Sequence, residues 1–317
     1  MSGSRAAIDV VREAVSGLVG PVAVTGATGW LGSVAVDLLY EAFALEAPTR
    51  VVAFASTARD VSVADGRTAR VHPLAALRTM DPAPQALLHL AFLTPDRMAS
   101  LGADEYGRRN RSITEAVELA VRTYRPAWLV VASSGAVYGD AGARGAHPYV
   151  ELKRDAEARL QAAADEVGAT CVVPRIFSLA GPRLPQDGRY ALGDLLAMAA
   201  EGGPLTVRAG HQVRRTYCGA DEVVALALWA AASGRSLVFD TGGELVELGD
   251  LALEVAKLHG LHADAVRRAP SDGSPADVYA GDGRAMQALA DEARLPLRSL
   301  VELIGESVAR PPARSTT

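Results

Sequence analysis

A serine, a tyrosine and a lysine are spaced so that they could act together on one proton. Ser134 follows an apolar run, and Tyr149 and Lys153 stand four residues apart in a segment with helical patterning. That spacing places both side chains on one face of a helix. A phenol has a pKa near 10 and is a poor base at neutral pH, but a nearby ammonium favours the phenolate. We therefore expect Tyr149, tuned by Lys153, to exchange a proton with a carbonyl or hydroxyl oxygen that Ser134 also holds.

A glycine-rich turn near the N-terminus predicts a partner for that chemistry. The segment Thr25-Gly26-Ala27-Thr28-Gly29-Trp30-Leu31-Gly32 follows a short apolar run and opens a helical pattern. In this context Gly26 permits a sharp exit from a strand, Gly29 lets a pyrophosphate approach the backbone, and Gly32 lets the helix pack closely. The N–H groups from Thr28 to Leu31 favour negative phosphates. The motif predicts a dinucleotide site.

The end of the next predicted strand indicates which dinucleotide binds. NAD sites usually place an Asp or Glu there, roughly 20 residues after the turn, to hold the ribose 2′-hydroxyl. Here Val51–Ala55 is followed by Ser56, Thr57 and Arg59, with no acid at the strand end. Hydroxyls and a guanidinium suit a 2′-phosphate. The sequence favours NADP; NAD is the alternative, with Arg59 then a solvated loop residue.

The elements that would position these residues alternate between strands and helices. Strands rich in Val, Leu and Ala with polar ends are typical of sheets covered on both faces, and the alternation predicts an α/β fold with a doubly wound parallel sheet of the Rossmann type. The predicted strands are Val22–Thr25, Val51–Ala55, Ala86–Ala91, Trp128–Ser133 and Thr170–Pro174, and the predicted helices are Leu31–Phe43, Ala103–Tyr124 and Val150–Val167.

Beyond Pro174 the pattern loosens, which indicates a smaller mixed region. We expect residues 1–175 to form the dinucleotide-binding domain with an N-terminal helix, and residues 176–309 to form mainly a mixed α/β substrate lobe across the carboxyl edge of the sheet. Residues 310–317 are expected to be disordered. The predicted elements of this region are helices Ala191–Ala200, Glu222–Ala232 and Leu248–Leu258, and strands Leu205–Val207, Arg215–Cys218 and Leu237–Phe239.

Composition excludes several classes of partner. The 317 residues are 49% hydrophobic, and a formal net charge of −5 gives no global basic field for nucleic acid or an anionic membrane. No apolar run is long enough to span a bilayer, and the N-terminal segment lacks the apolar core of a secretory signal. Cys171 and Cys218 stand in apolar stretches, and the histidines show no metal-ligand spacing. We expect a soluble, cytoplasmic enzyme without a metal and with a small-molecule substrate.

Together these motifs resemble the extended short-chain dehydrogenase/reductase superfamily, of the NAD(P)-dependent nucleotide-sugar epimerase/dehydratase type, along nearly the whole chain. The glycine turn is similar to its cofactor loop, and Ser134 with Tyr149-x-x-x-Lys153 is similar to its catalytic elements. Further similar segments are Leu88-His89-Leu90-Ala91, Asn110, Pro174-Arg175-Ile176-Phe177-Ser178, Gly181-Pro182, the segment 215–223 and Asp240-Thr241-Gly242-Gly243.

The resemblance implies roles for these residues. Tyr149 would be the general acid/base, Lys153 would bind the nicotinamide ribose and lower the pKa of Tyr149, and Ser134 would hold the reacting oxygen. Arg215 would meet a substrate phosphate, with Ser178 and Arg183 as further substrate contacts. The expected cofactor contacts are Gly26, Thr28, Gly29, Trp30, Leu31, Gly32, Ser56, Thr57, Arg59, Leu90, Ala91, Ser133, Tyr149, Lys153, Pro174 and Ile176. A homodimer through the helices Ala103–Tyr124 and Val150–Val167 is also implied.

Departures from the family pattern narrow the reaction. The Asp-Glu pair of sugar-nucleotide 4,6-dehydratases is Gly135-Ala136 here, and the Glu of nucleotide-sugar decarboxylases is absent too. Ser178 replaces a frequent Asn, and the loop 140–148 is unusually short. We expect NADP-dependent reduction of a keto group on a nucleotide-linked 4-keto sugar, with hydride from the nicotinamide and the proton from Tyr149. The alternatives are an NAD-dependent 4-epimerase and an inactive dinucleotide-sensing regulator, against which the complete catalytic set argues.

Overall fold

Residues 2–139 and 148–309 are described by the structure, which is a computed structural model. The predicted disordered tail and most of the short loop before Tyr149 lie outside the described residues. Within them the strands are β1 (Val22–Thr25), β2 (Val51–Ala55), β3 (Arg59–Ser62), β4 (Thr68–Pro73), β5 (Ala86–His89), β6 (Trp128–Val131), β7 (Ser133–Ser134), β8 (Thr170–Ile176), β9 (Ser178–Ala180), β10 (Leu205–Val207), β11 (Val213–Gly219), β12 (Leu237–Asp240), β13 (Glu244–Glu247), β14 (Val266–Arg268) and β15 (Asp277–Tyr279).

Helices alternate with these strands. They are α1 (Ser2–Val15), α2 (Trp30–Phe43), α3 (Ala47–Arg50), α4 (Arg97–Leu101), α5 (Ala103–Tyr124), α6 (Tyr149–Val167), α7 (Ala191–Ala200), α8 (Ala220–Ala232), α9 (Leu248–Leu258), α10 (Arg284–Glu292) and α11 (Leu300–Ala309). In the described part of the chain, none of the helices has the length and apolar character needed to cross a membrane.

The large sheet has the strand order β12-β8-β6-β5-β1-β2-β4-β3, with β7 paired to β8. Its pairs are parallel except for the antiparallel hairpin β3–β4. Successive strands are added on one side of β1 up to β4, and the next, β5, is added on its other side. The strand order therefore reverses between β1 and β5, and sheets of this type bind ligands at such a point. This confirms the predicted doubly wound α/β fold.

Successive side chains of a strand point to opposite faces of this sheet, and helices pack on both faces. Val22 and Val24 of β1 pack into the core shared with α1, α2 and α8, whereas Ala23 packs into the core beneath α5 and α6. The register places Thr25 opposite both Phe54 and His89. The residues that follow these strands therefore emerge at one edge, where the predicted site residues lie.

The smaller sheets are built from later parts of the chain. Strands β13, β11 and β15 form one sheet with β9 paired to β11, β10 pairs with β14, and α7, α9 and α11 share an apolar core with them. However, β12 adds a parallel strand beside β8, and α8 packs against α1 and α2. These two elements lie beyond residue 175 but belong to the large sheet, because α8 is apolar on nearly every side. The two-domain division at residue 175 stays a prediction.

Several element boundaries differ from the sequence-based ones. Helices α2 and α6 begin one residue earlier, at Trp30 and Tyr149, and β8 continues past Pro174 to Ile176. Arg59, predicted to contact a 2′-phosphate or otherwise to be a solvated loop residue, is the first residue of the hairpin strand β3. This exposed hairpin has few apolar residues, so it carries almost no periodic signal.

A buried ion network ties α8 to the segment before α11. The Arg298 guanidinium is 5% exposed; its Nε donates to Glu222 Oε1 at 2.9 Å, and its terminal nitrogens bind Asp221 and Glu306. The Asp221 and Glu222 side chains are almost fully buried. Removing the Arg298 guanidinium would leave the buried Asp221 and Glu222 carboxylates without the cation that pairs with them here.

We predict that Arg298→Met lowers the free energy of unfolding by about 3–5 kcal/mol, because it breaks a buried pair from one side. Arg235→Ala is the matched control, since Arg235 pairs with Glu292 on the surface and exposed pairs contribute little. Urea unfolding of both variants measures the effect. Equal stability of Arg298→Met and the wild type would show that the network contributes nothing.

Candidate active site

The carboxyl edge of the large sheet brings the three predicted catalytic residues together. Ser134 ends β7, which pairs with β8 through Ile176. Tyr149 opens α6, and Lys153 lies one turn further along it. Among the effects on the pKa of the Tyr149 phenol, hydrogen bonding by the Ser134 side chain is the one that lowers it, so the two groups lie near each other. The serine hydroxyl and the phenol can therefore hold one substrate oxygen between them.

The Lys153 amine is buried behind this pair. Its Nζ donates to the Ala132 carbonyl oxygen at 2.8 Å and lies 3.9 Å from the centre of the Phe92 ring and 6.0 Å from that of Tyr149. Burial lowers the pKa of Lys153 to about 7, against the opposing charge of Glu157. The amine thus changes charge near neutral pH.

Tyr149 departs from the expectation that Lys153 lowers its pKa. Burial raises the pKa of Tyr149 to about 12, although the hydrogen bond from Ser134 opposes this shift. The phenol packs edge-on against Phe92, with ring centres 5.7 Å apart, and the Lys153 amine is bonded to a backbone carbonyl. Spacing alone could not reveal this, because four residues of separation fix a helix face but not the depth of burial.

The glycine turn is shaped by two close backbone approaches. Gly26 has a φ of +75°, and a Cβ there would lie 2.6 Å from the backbone of Leu90 and Ala91. A Cβ on Gly32 would lie 2.0 Å from the Gly26 carbonyl oxygen. A side chain at Gly26 would push the turn away from the segment that follows β5, and one at Gly32 would push α2 away from the turn. The turn therefore has the close packing that a dinucleotide fingerprint requires.

A cavity of about 920 Å³ lies over this turn. It is lined by the exposed Thr28 and Gly29, by Trp30, and by Thr57 and Arg59 at the end of β2 and start of β3. This volume is in the upper range of ligand pockets. The remaining lining residues are Ala27, Ser33, Val36, Asp37, Ala58, Asp60, Val61, Ser62, Arg183, Pro185, Gln186, Asp187 and Arg189.

The other predicted cofactor contacts lie along the same edge. Ser56 is exposed after β2, Leu31 and Ile176 are half-buried, and Pro174 is buried inside β8 opposite Phe239. Ser133 is more informative. Its Oγ is buried and has no hydrogen-bond partner among the described residues. A buried hydroxyl normally has a partner. This orphaned donor and the separate cavity over the glycine turn together fit a bound dinucleotide.

Arg59 and Arg183 both line the cavity, but their partners differ. Arg59 is exposed, and its Nη2 donates to Thr57 Oγ1 at 3.1 Å, its one side-chain hydrogen bond within the described residues. Arg183 donates from Nη2 to Asp37 Oδ1 and to the Ser62 carbonyl, both at 2.8 Å. Arg183, which we expected near substrate, thus lies on the cofactor side with Arg59, because its loop runs back over α2.

That loop, residues 181–190, forms a strap across the glycine turn. The Trp30 indole Nε1 donates to the Pro182 carbonyl at 2.9 Å, and the Trp30 and Tyr190 rings meet edge to face at 5.0 Å. The Arg183–Asp37 pair fastens the strap to α2. The motif identified Trp30 only through its backbone, whereas its indole is the donor that holds the strap.

On the substrate side, Arg215 is already paired. It donates to Asp277 Oδ2 at 2.6 Å and to the Asp277 carbonyl at 3.0 Å. Ser178 is half-buried in β9 opposite Tyr217. Sequence reasoning missed Tyr279, whose hydroxyl lies 3.2 Å from Ser134 Oγ. No motif pointed to it, because it reaches the site from β15 in a different sheet.

The Phe177 ring fills the space beside Ser134. A Cβ on Gly135 would lie 2.4 Å from that ring, and a Cβ on Gly281 would lie 2.8 Å from it. Phe177 is held further by Tyr279, with ring centres 4.6 Å apart. The position where dehydratases carry an acidic side chain after the serine therefore cannot accept any side chain unless Phe177 moves.

The sheet, the glycine turn and the Ser134–Tyr149–Lys153 cluster define a dinucleotide-dependent enzyme of the extended short-chain dehydrogenase/reductase type. The chain belongs to the NAD dependent epimerase/dehydratase family, whose model matches residues 22–241. No curated protein sequence matches it significantly.

Solved structures of this family share the fold. MoeE5 in complex with UDP-glucose and NAD is 25% identical, with a TM-score of 0.70 over 92% of this chain and 98% of that one. The UDP-glucose 4-epimerase of Thermus thermophilus, solved with NAD, is 21% identical, with a TM-score of 0.69 over 91% and 98%. The UDP-N-acetylglucosamine 4-epimerase of Methanobrevibacter ruminantium is 17% identical, with a TM-score of 0.73 over 92% and 97%.

We predict that Lys153 titrates near pH 7 in protein freed of dinucleotide. The chain has two lysines, so NMR of ¹³C-labelled lysine gives two side-chain signals, and Lys257→Met assigns them. Lys257 is 78% exposed and serves as the internal reference. The Lys153 amine should be charged below pH 7 and neutral above it. A Lys153 midpoint near the ordinary lysine value of about 10.4 would contradict the burial argument.

Proposed function

We propose that this enzyme is a nucleotide-sugar 4-epimerase that keeps its dinucleotide bound between turnovers. The observation that supports this proposal is the Phe177 ring against Gly135, because it leaves no space for a side chain at the position where a dehydratase would carry the first acid of its Asp-Glu pair. Of the two reactions in the family description, this favours epimerisation, which needs proton exchange at one oxygen, over dehydration, which also needs an acid and a base to eliminate water. The expectation of a reductase is revised because the same three residues, Ser134, Tyr149 and Lys153, suffice for epimerisation, and two of the similar solved structures are 4-epimerases.

Protein side chains carry out the proton transfer at the sugar O4. Tyr149 takes the hydroxyl proton as the C4–H bond breaks, and Ser134 holds the oxygen as it becomes a carbonyl. When bound in its oxidised form, the dinucleotide supplies a positively charged hydride acceptor, and then the donor for the return transfer. A positive charge in the pocket favours the Tyr149 phenolate against the effect of burial. Tyr149 returns the proton after the sugar has presented its other face, so no net redox change occurs.

Retention of the dinucleotide is supported by the strap. Trp30, Pro182 and Tyr190 close over the glycine turn, and Arg183 fastens the segment to Asp37. Release of the dinucleotide would require these contacts to open. An epimerase gains from slow release because its dinucleotide is regenerated within each cycle, whereas a reductase must exchange it every turnover.

Two observations support a nucleotide sugar as substrate: the ligands of the similar protein MoeE5, and the affinity of a guanidinium for phosphate. That protein was solved with UDP-glucose and, in another complex, with UDP-glucuronic acid. We propose that Arg215 and Ser178 contact the nucleotide-sugar substrate here, with Arg215 exchanging part of its pairing with Asp277 for a phosphate oxygen. A homodimer through α5 and α6 and a cytoplasmic location are proposed from family analogy and from the sequence.

Arg59 favours a second candidate, the NADP-dependent ketoreductase. The end of β2 carries no acid, and the exposed Arg59 and Thr57 line the cavity over the glycine turn. A guanidinium with one hydroxyl partner is available for a 2′-phosphate.

We predict that Arg59→Ala weakens NADP binding by roughly 1.5–3 kcal/mol and leaves NAD binding nearly unchanged, because it removes a hydrogen bond to a charged group. Arg70→Ala is the matched control, since Arg70 lies on the same hairpin and pairs with Asp60. Isothermal titration with both dinucleotides measures the effect. Equal losses for the two dinucleotides would show that Arg59 does not recognise the 2′-phosphate.

The epimerase proposal is tested by incubating purified protein, without added dinucleotide, with UDP-glucose, UDP-glucuronic acid and UDP-N-acetylglucosamine. We expect the 4-epimer of at least one. Failure of all three, with NADPH consumed on a nucleotide 4-keto sugar, would favour the reductase. Binding of dinucleotide with no turnover of either kind would favour the regulator.

We predict that Tyr149→Phe lowers turnover by about 10²–10⁴-fold, the usual contribution of general acid–base catalysis, with dinucleotide affinity unchanged. Lys153→Met should lose turnover and dinucleotide affinity together, and Ser134→Ala should cost less than Tyr149→Phe. Lys257→Met, which changes the other lysine, is the control. Full activity of Tyr149→Phe would rule out the mechanism.

A further inference from the structure

The Tyr279 hydroxyl lies against the proposed catalytic serine. Its Oη is 3.2 Å from Ser134 Oγ and 3.3 Å from the carbonyl oxygen of Ile176. Strand β15 brings it there by pairing in parallel with β11, and its ring packs on Phe177. The Ser134 hydroxyl therefore acts on two phenols: it contacts that of Tyr279 directly, and it lowers the pKa of that of Tyr149.

The hydrogen-bond inventory of Ser134 is limited. A serine hydroxyl has one proton and two acceptor positions. Its Oγ accepts one bond from the Ala136 N–H, at 3.2 Å, which leaves the proton and one acceptor position for the two phenols. Ser134 can thus donate to one phenol while it accepts from the other, but it cannot donate to both.

Two arrangements of this chain follow. When Tyr149 is protonated, it donates to Ser134, Ser134 donates to Tyr279, and Tyr279 donates to the Ile176 carbonyl. When Tyr149 has lost its proton, Ser134 donates to the phenolate and Tyr279 donates to Ser134. The Ile176 carbonyl gives the Tyr279 proton a second acceptor within reach, so the chain can reverse without any side chain changing rotamer.

We propose that Tyr279 is a positioning residue that holds the Ser134 hydroxyl and turns its proton toward Tyr149 whenever Tyr149 is deprotonated. The inference rests on the proposed role of Tyr149 and extends it to a residue from another sheet. A phenolate that accepts a bond from Ser134 is more stable when Ser134 itself accepts one, because hydrogen bonds in a chain polarise each other.

The ionisable groups around Tyr149 and Tyr279 are consistent with a protonated Tyr279 that can donate a hydrogen bond. Burial raises the pKa of Tyr279, so it remains protonated while Tyr149 reacts. Burial lowers the pKa of His89 to about 3, and this ring, bonded to Thr25, is neutral at the pH of interest. The other ionisable groups that face the chain are Lys153 and Glu157 on α6, Tyr106 on α5, Tyr190, Arg215 and Asp240.

The test is Tyr279→Phe, which keeps the ring against Phe177 and removes only the oxygen. We expect the rising limb of the kcat–pH profile to move to higher pH by up to about one unit, since removing a stabilising bond raises the pKa of Tyr149. At neutral pH kcat should then fall up to about tenfold, with little change in KM. Tyr124→Phe is the matched control, because its hydroxyl also bridges a donor and an acceptor, Met80 N–H and the Leu77 carbonyl, away from the site.

A second readout is independent of turnover. In protein labelled with ¹³C at the tyrosine ring carbon that bears oxygen, Tyr149→Phe identifies the Tyr149 signal, and Tyr279→Phe should move its titration to higher pH. An unshifted signal, or an unshifted pH profile with only a loss of stability, would overturn the role of Tyr279. If Tyr149→Phe retains activity, the proposed function itself fails; if it is inactive and Tyr279→Phe is unshifted, only the inference about Tyr279 fails.

Discussion

The Lys153 amine is buried at the carboxyl edge of the sheet, and its burial costs free energy that the surrounding groups must offset. The Ala132 carbonyl accepts from it, the Phe92 face lies over it, and Glu157 on the same helix opposes the loss of charge. These partners fix where α6 begins relative to β6. Tyr149 is thereby set one helical turn away, within reach of Ser134, and the geometry of the proton exchange depends on that placement.

A second constraint decides which proton chemistry is possible. Phe177 lies between Gly135, Gly281 and Tyr279, and it occupies the space that a side chain at position 135 would need. The same ring supports Tyr279 against Ser134. One aromatic side chain therefore limits position 135 to glycine and supports Tyr279. The strap from 181 to 190 contributes separately, since it covers the glycine turn and, in the proposed epimerase, would slow release of the dinucleotide.

Local signals in the sequence predicted much of this arrangement. The glycine turn and the Tyr149–Lys153 spacing depend on turn chemistry and helical period, which a sequence displays directly. The place of Arg183 and the contact of Tyr279 depend on how distant segments meet, and β15 is a short, exposed strand with no periodicity. The pKa of Tyr149 was expected to fall and is raised instead, because burial depends on the packing of Phe92 and other tyrosines around it.

The most direct test of the account follows an isotope through one turnover. A nucleotide sugar that the enzyme accepts is prepared with deuterium at C4 and incubated with the purified protein in ordinary water, without added dinucleotide. The account predicts a 4-epimer that retains the deuterium at C4, because the hydrogen leaves and returns within one closed site while only the O4 proton passes through Tyr149. Loss of the deuterium to water would contradict the account, as would an absolute requirement for stoichiometric NADPH.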